Sequence, residues 1–164
     1  MTEMPSAEIV NVLARLLREA FAGAPGPWTY FTDTGPGSGL LGTVDALSAA
    51  QASLESGPGG TTVAGHVHHV CSSLALSVRE LQGQSVSRDR TQSWTVSVVD
   101  DAAWADLRAR LRREYRDATM AVETVAEWNE DRLATAFGAV AHAAYHLGAI
   151  RQRVVPTAAG RRNA

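Results

Sequence analysis

Residues 100–125 read DDAAWADLRARLRREYRDATMAVETV. Trp104, Leu107, Leu111, Tyr115, Ala118, Val122 and Val125 recur at steps of three and four, the period of one buried helix face. Arg108, Arg110, Arg112, Arg113, Glu114 and Arg116 fall between them as a solvated flank, and Asp100 or Asp101 supplies an N-cap. A helix this long buries its stripe against other helices, so the flanking segments decide the architecture.

Those segments repeat the pattern. Ile9, Leu13, Leu16, Leu17 and Phe21 form a first stripe, capped by Ser6 and stopped by Gly23, Pro25, Gly26 and Pro27. The following stretch carries Trp28, Tyr30 and Phe31, whose rings are expected to pack onto the body. A second helix is expected from Ser38, burying Leu40, Leu41, Val44, Leu47 and Leu54 and ending at Gly57–Gly60. A third runs from Thr61 or Thr62 to about Gln82, with Val63, Val67, Val70, Leu74, Val78 and Leu81 inward and Gly83 as its stop. Residues 84–99 are polar, with a β-leaning run from Trp94 to Val99 that reads as a long crossover or an isolated extended piece. Asn129 caps a last helix that carries Leu133, Phe137, Val140, Ala144 and Leu147 towards Val154, closed by Pro156. With no convincing sheet, the expectation is an all-α antiparallel bundle. It forms one domain over residues 1–164, with its core at about 6–155 and a flexible tail at 156–164.

Composition narrows the function. Hydrophobic residues at 45% and charged residues at 20% fit a globular protein, and a net charge of −2 recommends neither nucleic acid nor an anionic membrane as partner. Every basic residue is arginine, which excludes Schiff-base chemistry on lysine. Cys71 is the single cysteine, so no internal disulfide forms and a reducing, cytoplasmic setting is expected. No apolar run is expected to approach a membrane span, and the N-terminus lacks a signal pattern.

The five histidines are confined to two helical stretches, GHVHH (65–69) and AVAHAAYHLGAIRQ (139–152). On a helix His142 and His146 differ by about 40° in direction and about 6 Å in height, so both can reach one ion. Ala139, Ala141, Ala143, Ala144, Gly148 and Ala149 leave room around them. His66 and His69 are about 60° apart, whereas His66 and His68 point to nearly opposite sides, so at most two of the three are expected in one cavity. His69, beside Val67 and Val70, is the first choice as third ligand. His66 stands as a supporting group, a substitute ligand or a general base, and His68 is expected to face solvent. Two imidazoles at this spacing also arise by chance on core-edge helices, hydrogen-bonded rather than ligating.

Other candidates read as packing. Trp104 and Tyr115 follow the core period, and Cys71 behaves as a small hydrophobe. Glu80, Glu114 and Glu123 have no carboxylate partner at a telling spacing, and no glycine-rich phosphate loop, nucleophile elbow or paired-cysteine motif occurs.

TVAGHVHHV (62–70) and AHAAYHLGAIRQ (141–152) resemble the DinB-like superfamily, which includes the YfiT-type proteins grouped as metal-dependent hydrolases. LLGTVDALSAAQAS (40–53) and VDDAAWADLRARLRREY (99–115) extend the resemblance, which spans most of residues 9–152. It implies a four-helix bundle of up-down-down-up course with an additional short N-terminal helix. By position the implied ligands of a divalent metal ion, often zinc or nickel, are His69, His142 and His146. It also implies homodimers, and characterised relatives include thiol-dependent transferases and a mycothiol-dependent isomerase. His66 and His68 are extra relative to many relatives.

The expected activity is therefore metal-dependent hydrolysis, or transfer using a low-molecular-weight thiol, on a small-molecule substrate. Tyr145, Trp94 and Arg151 are candidate substrate contacts. The alternative is a non-catalytic dimeric bundle that binds a metal or a small molecule.

Overall fold

The computed structural model describes residues 6–24, 26–35, 37–87 and 92–154, and every regular element among them is helical. Helix α1 (Ser6–Ala22) is followed by two short helices, α2 (Leu40–Asp45) and α3 (Ala49–Ala52). Three long helices complete the order: α4 (Val63–Leu81), α5 (Asp101–Thr124) and α6 (Glu130–Val154). Pro156 and the tail expected to fray lie outside the described residues.

Helix α4 packs against both α5 and α6, and α1 closes the opposite side against the same two. Leu13 of α1, Leu81 at the end of α4, Ala121 and Val122 at the end of α5 and Ala136 near the start of α6 share one apolar cluster, against which Ile9 and Val10 near the start of α1 also pack. Helices α1 and α6 therefore begin at the end of the bundle where α4 and α5 finish, which is the up-down-down-up course. Phe21, Val67, Leu74, Trp104, Leu111 and Leu147 fill the larger cluster beyond it. Trp104 also donates its Nε1–H to the Leu47 carbonyl at 2.8 Å, tying α5 to the segment between α2 and α3.

Local chemistry sets the helix ends. The Thr62 hydroxyl accepts from the Gly65 N–H at 3.0 Å, Asp100 from Ala103 at 2.8 Å and Asn129 from Arg132 at 2.9 Å, each the N-cap contact its residue type favours. Gly83, at φ +81°, takes the left-handed turn past the end of α4. Thr62 donates to the Ser97 carbonyl at 2.7 Å and so pins the extended segment after Trp94 over the start of α4. At Gly65 a Cβ would stand 2.9 Å from the Val96 oxygen, so only glycine admits this crossing. The β-leaning run forms no strand: it belongs to the long crossover from α4 to α5, and its first residue, Trp94, ends a single 3-10 turn, Gln92–Trp94.

Several sequence expectations are corrected. The helix expected from Ser38 is two short helices, because Ser48 accepts from the Gln51 N–H at 3.2 Å while the Gln51 side chain accepts from the Ser48 N–H at 2.9 Å. This reciprocal cap starts a new helix, and Leu54 beyond it is exposed. Gly39, not Ser38, precedes α2. Phe137 is exposed, because the buried face of α6 runs through Ala136, Val140, Ala143, Leu147 and Ile150. The expectation of no apolar run long enough for a membrane is corrected at α6, which qualifies by length and composition with a mean hydropathy of 1.2 over 18 residues. One side of this helix packs on α1 and α4, and only 33% of that window is buried.

The aromatic segment is held differently from expected. Trp28 is 88% and Tyr30 70% exposed, so their rings do not pack on the body. The backbone is anchored instead: buried Glu19 accepts from the N–H groups of Tyr30 and Phe31, each at 2.6 Å, and of Thr32 at 3.2 Å. Glu19→Ala removes this acceptor and is expected to cost about 1–3 kcal/mol in urea unfolding. Unchanged stability would show that the segment is held by other means.

Candidate metal centre

Helices α4 and α6 run antiparallel and face each other across one turn of histidines. The Nε2 atoms of His69 and His142 are 3.0 Å apart, and those of His142 and His146 are 3.1 Å apart. The rings of His69 and His146 complete the triangle with centroids 5.0 Å apart. All three donor atoms lie within 4.8 Å of one another. A zinc–imidazole bond is about 2.0–2.1 Å, so nitrogens at these separations subtend roughly 90° at a shared ion and cap one face of its coordination sphere.

A second layer of groups fixes which nitrogens point inward. Ser93 Oγ lies 2.8 Å from His69 Nδ1, and Trp94 stacks on the His69 ring at 4.3 Å between centroids and 17° between planes. His66 Nδ1 lies 2.8 Å from His146 Nδ1, and Thr61 Oγ1 lies 3.1 Å from His66 Nε2. Arg153 donates to Thr61 Oγ1 at 2.7 Å. With protons on the Nδ1 atoms of His69 and His146, their Nε2 lone pairs are left free, as an ion requires. The residues therefore fit a divalent metal.

Electrostatics agree with this arrangement. Burial, then the charge of Arg153 and the neighbouring His69, lowers the pKa of His66 to about 4. Burial, then His142 and His68, lowers that of His69 to about 4. Burial, then His142 and His66, lowers that of His146 to about 3. All three are neutral at pH 7, the state in which imidazole binds a metal. The Cys71 thiol is pushed the other way, up to about 12, chiefly by burial, so it is an inert core group as expected.

A cleft of about 980 Å³ opens beside the triangle, walled by His66, His68, His69, Trp94, Arg110, His142, Tyr145, His146 and Arg153 among others. A smaller cavity of about 430 Å³ runs the other way between α4 and α6, past Ser77, Ala139 and Gly138 to Glu80. His142 and Ser73 line both. The sequence-predicted groups divide accordingly. His66, His69, His142 and His146 come together, and Trp94 and Tyr145 reach the same cleft, Tyr145 standing edge-on to His146 with centroids 5.0 Å apart. Arg151 does not reach it. It pairs with Asp33 at 3.2 Å and donates to the Ser38 carbonyl at 2.5 Å on another side of α6. His68 is corrected too: it donates from Nδ1 to the Ser93 carbonyl at 3.1 Å and lines the cleft. All three histidines of GHVHH share one cavity because the 92–94 turn folds over α4 and walls in the side left open by helical spacing alone. Ser93 and Arg153 had no signal in the sequence, since each acts through that fold-back or through the far end of α6.

A family model of the DinB superfamily matches residues 37–149, more than half of the chain and including all five histidines. The chain belongs to the DinB superfamily. No curated protein and no solved structure matches it. Within this DinB chain the matched region begins after α1, so the first bundle helix is placed by packing, while the histidine-bearing helices lie within the family match up to residue 149.

Proposed function

We propose that this DinB protein is a divalent-metal-dependent enzyme, a hydrolase or a transferase using a low-molecular-weight thiol, acting on a small molecule. The observation that carries this reading is the convergence of the His69, His142 and His146 Nε2 atoms at the floor of an open cleft. Zinc or nickel suits such a nitrogen set. A divalent ion held there supplies Lewis acidity and open coordination positions. Ser93 and Trp94 orient His69, and the cleft walls position the reactant. Two cavities meeting at His142 suit two reactants and favour transfer over hydrolysis. Buried Cys71 offers no nucleophile, so a thiol for such a transfer comes from solution. That fits the cytoplasm, where small thiols stay reduced.

His66 acts in this reading as a positioning residue rather than a base. Both its ring nitrogens are engaged, one by His146 and one by Thr61. His66→Ala is expected to weaken metal affinity about 10–100-fold, as loss of an outer hydrogen-bond partner does, with His66→Asn restoring part of it. Unchanged affinity with lost turnover would assign it to proton transfer instead.

We also propose a homodimer. Phe137, Ala141, Tyr145 and Gly148 leave a weakly polar, uncharged face of α6 open to a second copy. Light scattering is expected to give twice the chain mass, and a monomer at working concentration contradicts it. Elemental analysis of tag-free protein tests the enzymatic reading itself, with one divalent ion per chain expected. Turnover by the wild type that His142→Ala lacks separates an enzyme from a non-catalytic binding bundle.

A further inference from the structure

The wall of the larger cleft is one-sided in charge. Among the described residues it contains Arg110 and Arg153 and five histidines, and no carboxylate. The two arginines differ. Arg110 is paired with Glu114 at 3.3 Å. Arg153 has no carboxylate partner among the described residues. Its guanidinium is held by neutral acceptors: the Ala149 carbonyl at 2.9 Å, the Thr61 carbonyl at 3.4 Å and hydroxyl at 2.7 Å, and the Ser56 hydroxyl at 3.4 Å. These contacts fix the fork in place, and no carboxylate among the described residues offsets its charge. The start of α4, directly after Thr61, adds the positive end of a helix dipole.

We infer that Arg153 is the docking point for a carboxylate on the small molecule that enters this cleft, whose other end reaches the His69–His142–His146 triangle. The inference rests on the metal-site reading and names the substrate class for it. With Nε and both Nη2 hydrogens engaged and one N–H left on Nη1, no lysine in the chain and the other lining arginine already paired, this guanidinium matches one oxygen of a singly charged carboxylate better than a phosphate dianion. The ligand is thus a two-ended molecule. Arg153 and the triangle are linked through Thr61, His66 and His146 by contacts of 2.7, 3.1 and 2.8 Å, so one continuous hydrogen-bonded path joins the two ends of the site.

The test uses cobalt(II)-loaded full-length protein and a series of ω-mercaptocarboxylic acids from three to eight carbons, each paired with its methyl ester. Thiolate-to-cobalt absorption reports binding. At one chain length the acid is expected to bind about tenfold more tightly than its ester, the effect of one charge-assisted hydrogen bond. Arg153→Gln is expected to bring acid and ester to parity while the ester still produces the absorption band, which shows that the variant is folded and loaded. Arg153→Lys is expected to keep part of the preference. Equal binding of acid and ester at every length, or a preference that survives Arg153→Gln, overturns the inference and leaves the metal site standing. Absence of cobalt absorption in the wild type overturns both.

Discussion

His142→Ala is expected to lower affinity for zinc or nickel by more than about 100-fold, beyond the range for losing an outer-layer partner. His69→Ala and His146→Ala should behave alike. His142 is the hinge of the triangle, because its Nε2 stands within 3.1 Å of both other donors, and its loss leaves two nitrogens on different helices. Competition titration against a chromogenic chelator measures the change. His68→Ala is expected to cost less than about tenfold, since its contact with the Ser93 carbonyl steadies the turn but supplies no ligand. The same set of variants links the site to folding. An ion at a thousandfold excess over its Kd stabilises the native state by about 4 kcal/mol, so added metal is expected to raise the Tm of the wild type and not that of the three ligand variants. A His68→Ala variant as impaired as the others would move the ligand assignment on α4.

The second large effect is on pH. His66 and His69 titrate near 4 and His146 near 3 in the folded chain, against 6.5 for a free imidazole. Between those values the unfolded chain binds more protons than the native one, so stability rises with pH across that window. The contribution is fully present above pH 6.5 and is lost as pH falls towards 4. Metal-free protein is therefore expected to lose Tm steadily on acidification from pH 6.5 to 4, and His66→Ala is expected to flatten part of that slope. Protons are expected to compete with metal for His69 and His146 only nearer pH 4. A metal-free Tm that stays level from pH 6.5 to 4 would contradict the burial of these rings.

The helices were legible in the sequence wherever large apolar residues alternate with charged ones. Helix α5 shows this best: Trp104, Leu107, Leu111, Ala118 and Val122 are its buried face. In α6 the signal fails, because small residues occupy both sides between Leu133 and Ile150 and no charge marks the outer one. Spacing alone places Phe137 inward, whereas it lies outward. His142 and His146 were legible because four-residue spacing is a helical property, and His69 because it borders the α4 core stripe. Of the surroundings, His66, Trp94 and Tyr145 were legible as residues, but not the contacts that place them. Ser93 and Trp94 reach the histidines through a fold-back pinned by Thr62 and Ser97, and Glu19 holds a loop through backbone N–H groups that carry no sequence signature. Arg151 carries no mark that separates it from Arg153, and two helical positions, about 200° of rotation, separate a surface ion pair from the cleft wall.

X-ray absorption at the edge of the bound metal tests the central claim most directly. The account predicts three imidazole nitrogens at about 2.0–2.1 Å in metal-loaded wild type and two in His142→Ala. A spectrum fitted by oxygen ligands alone, or one unchanged by His142→Ala, would contradict it.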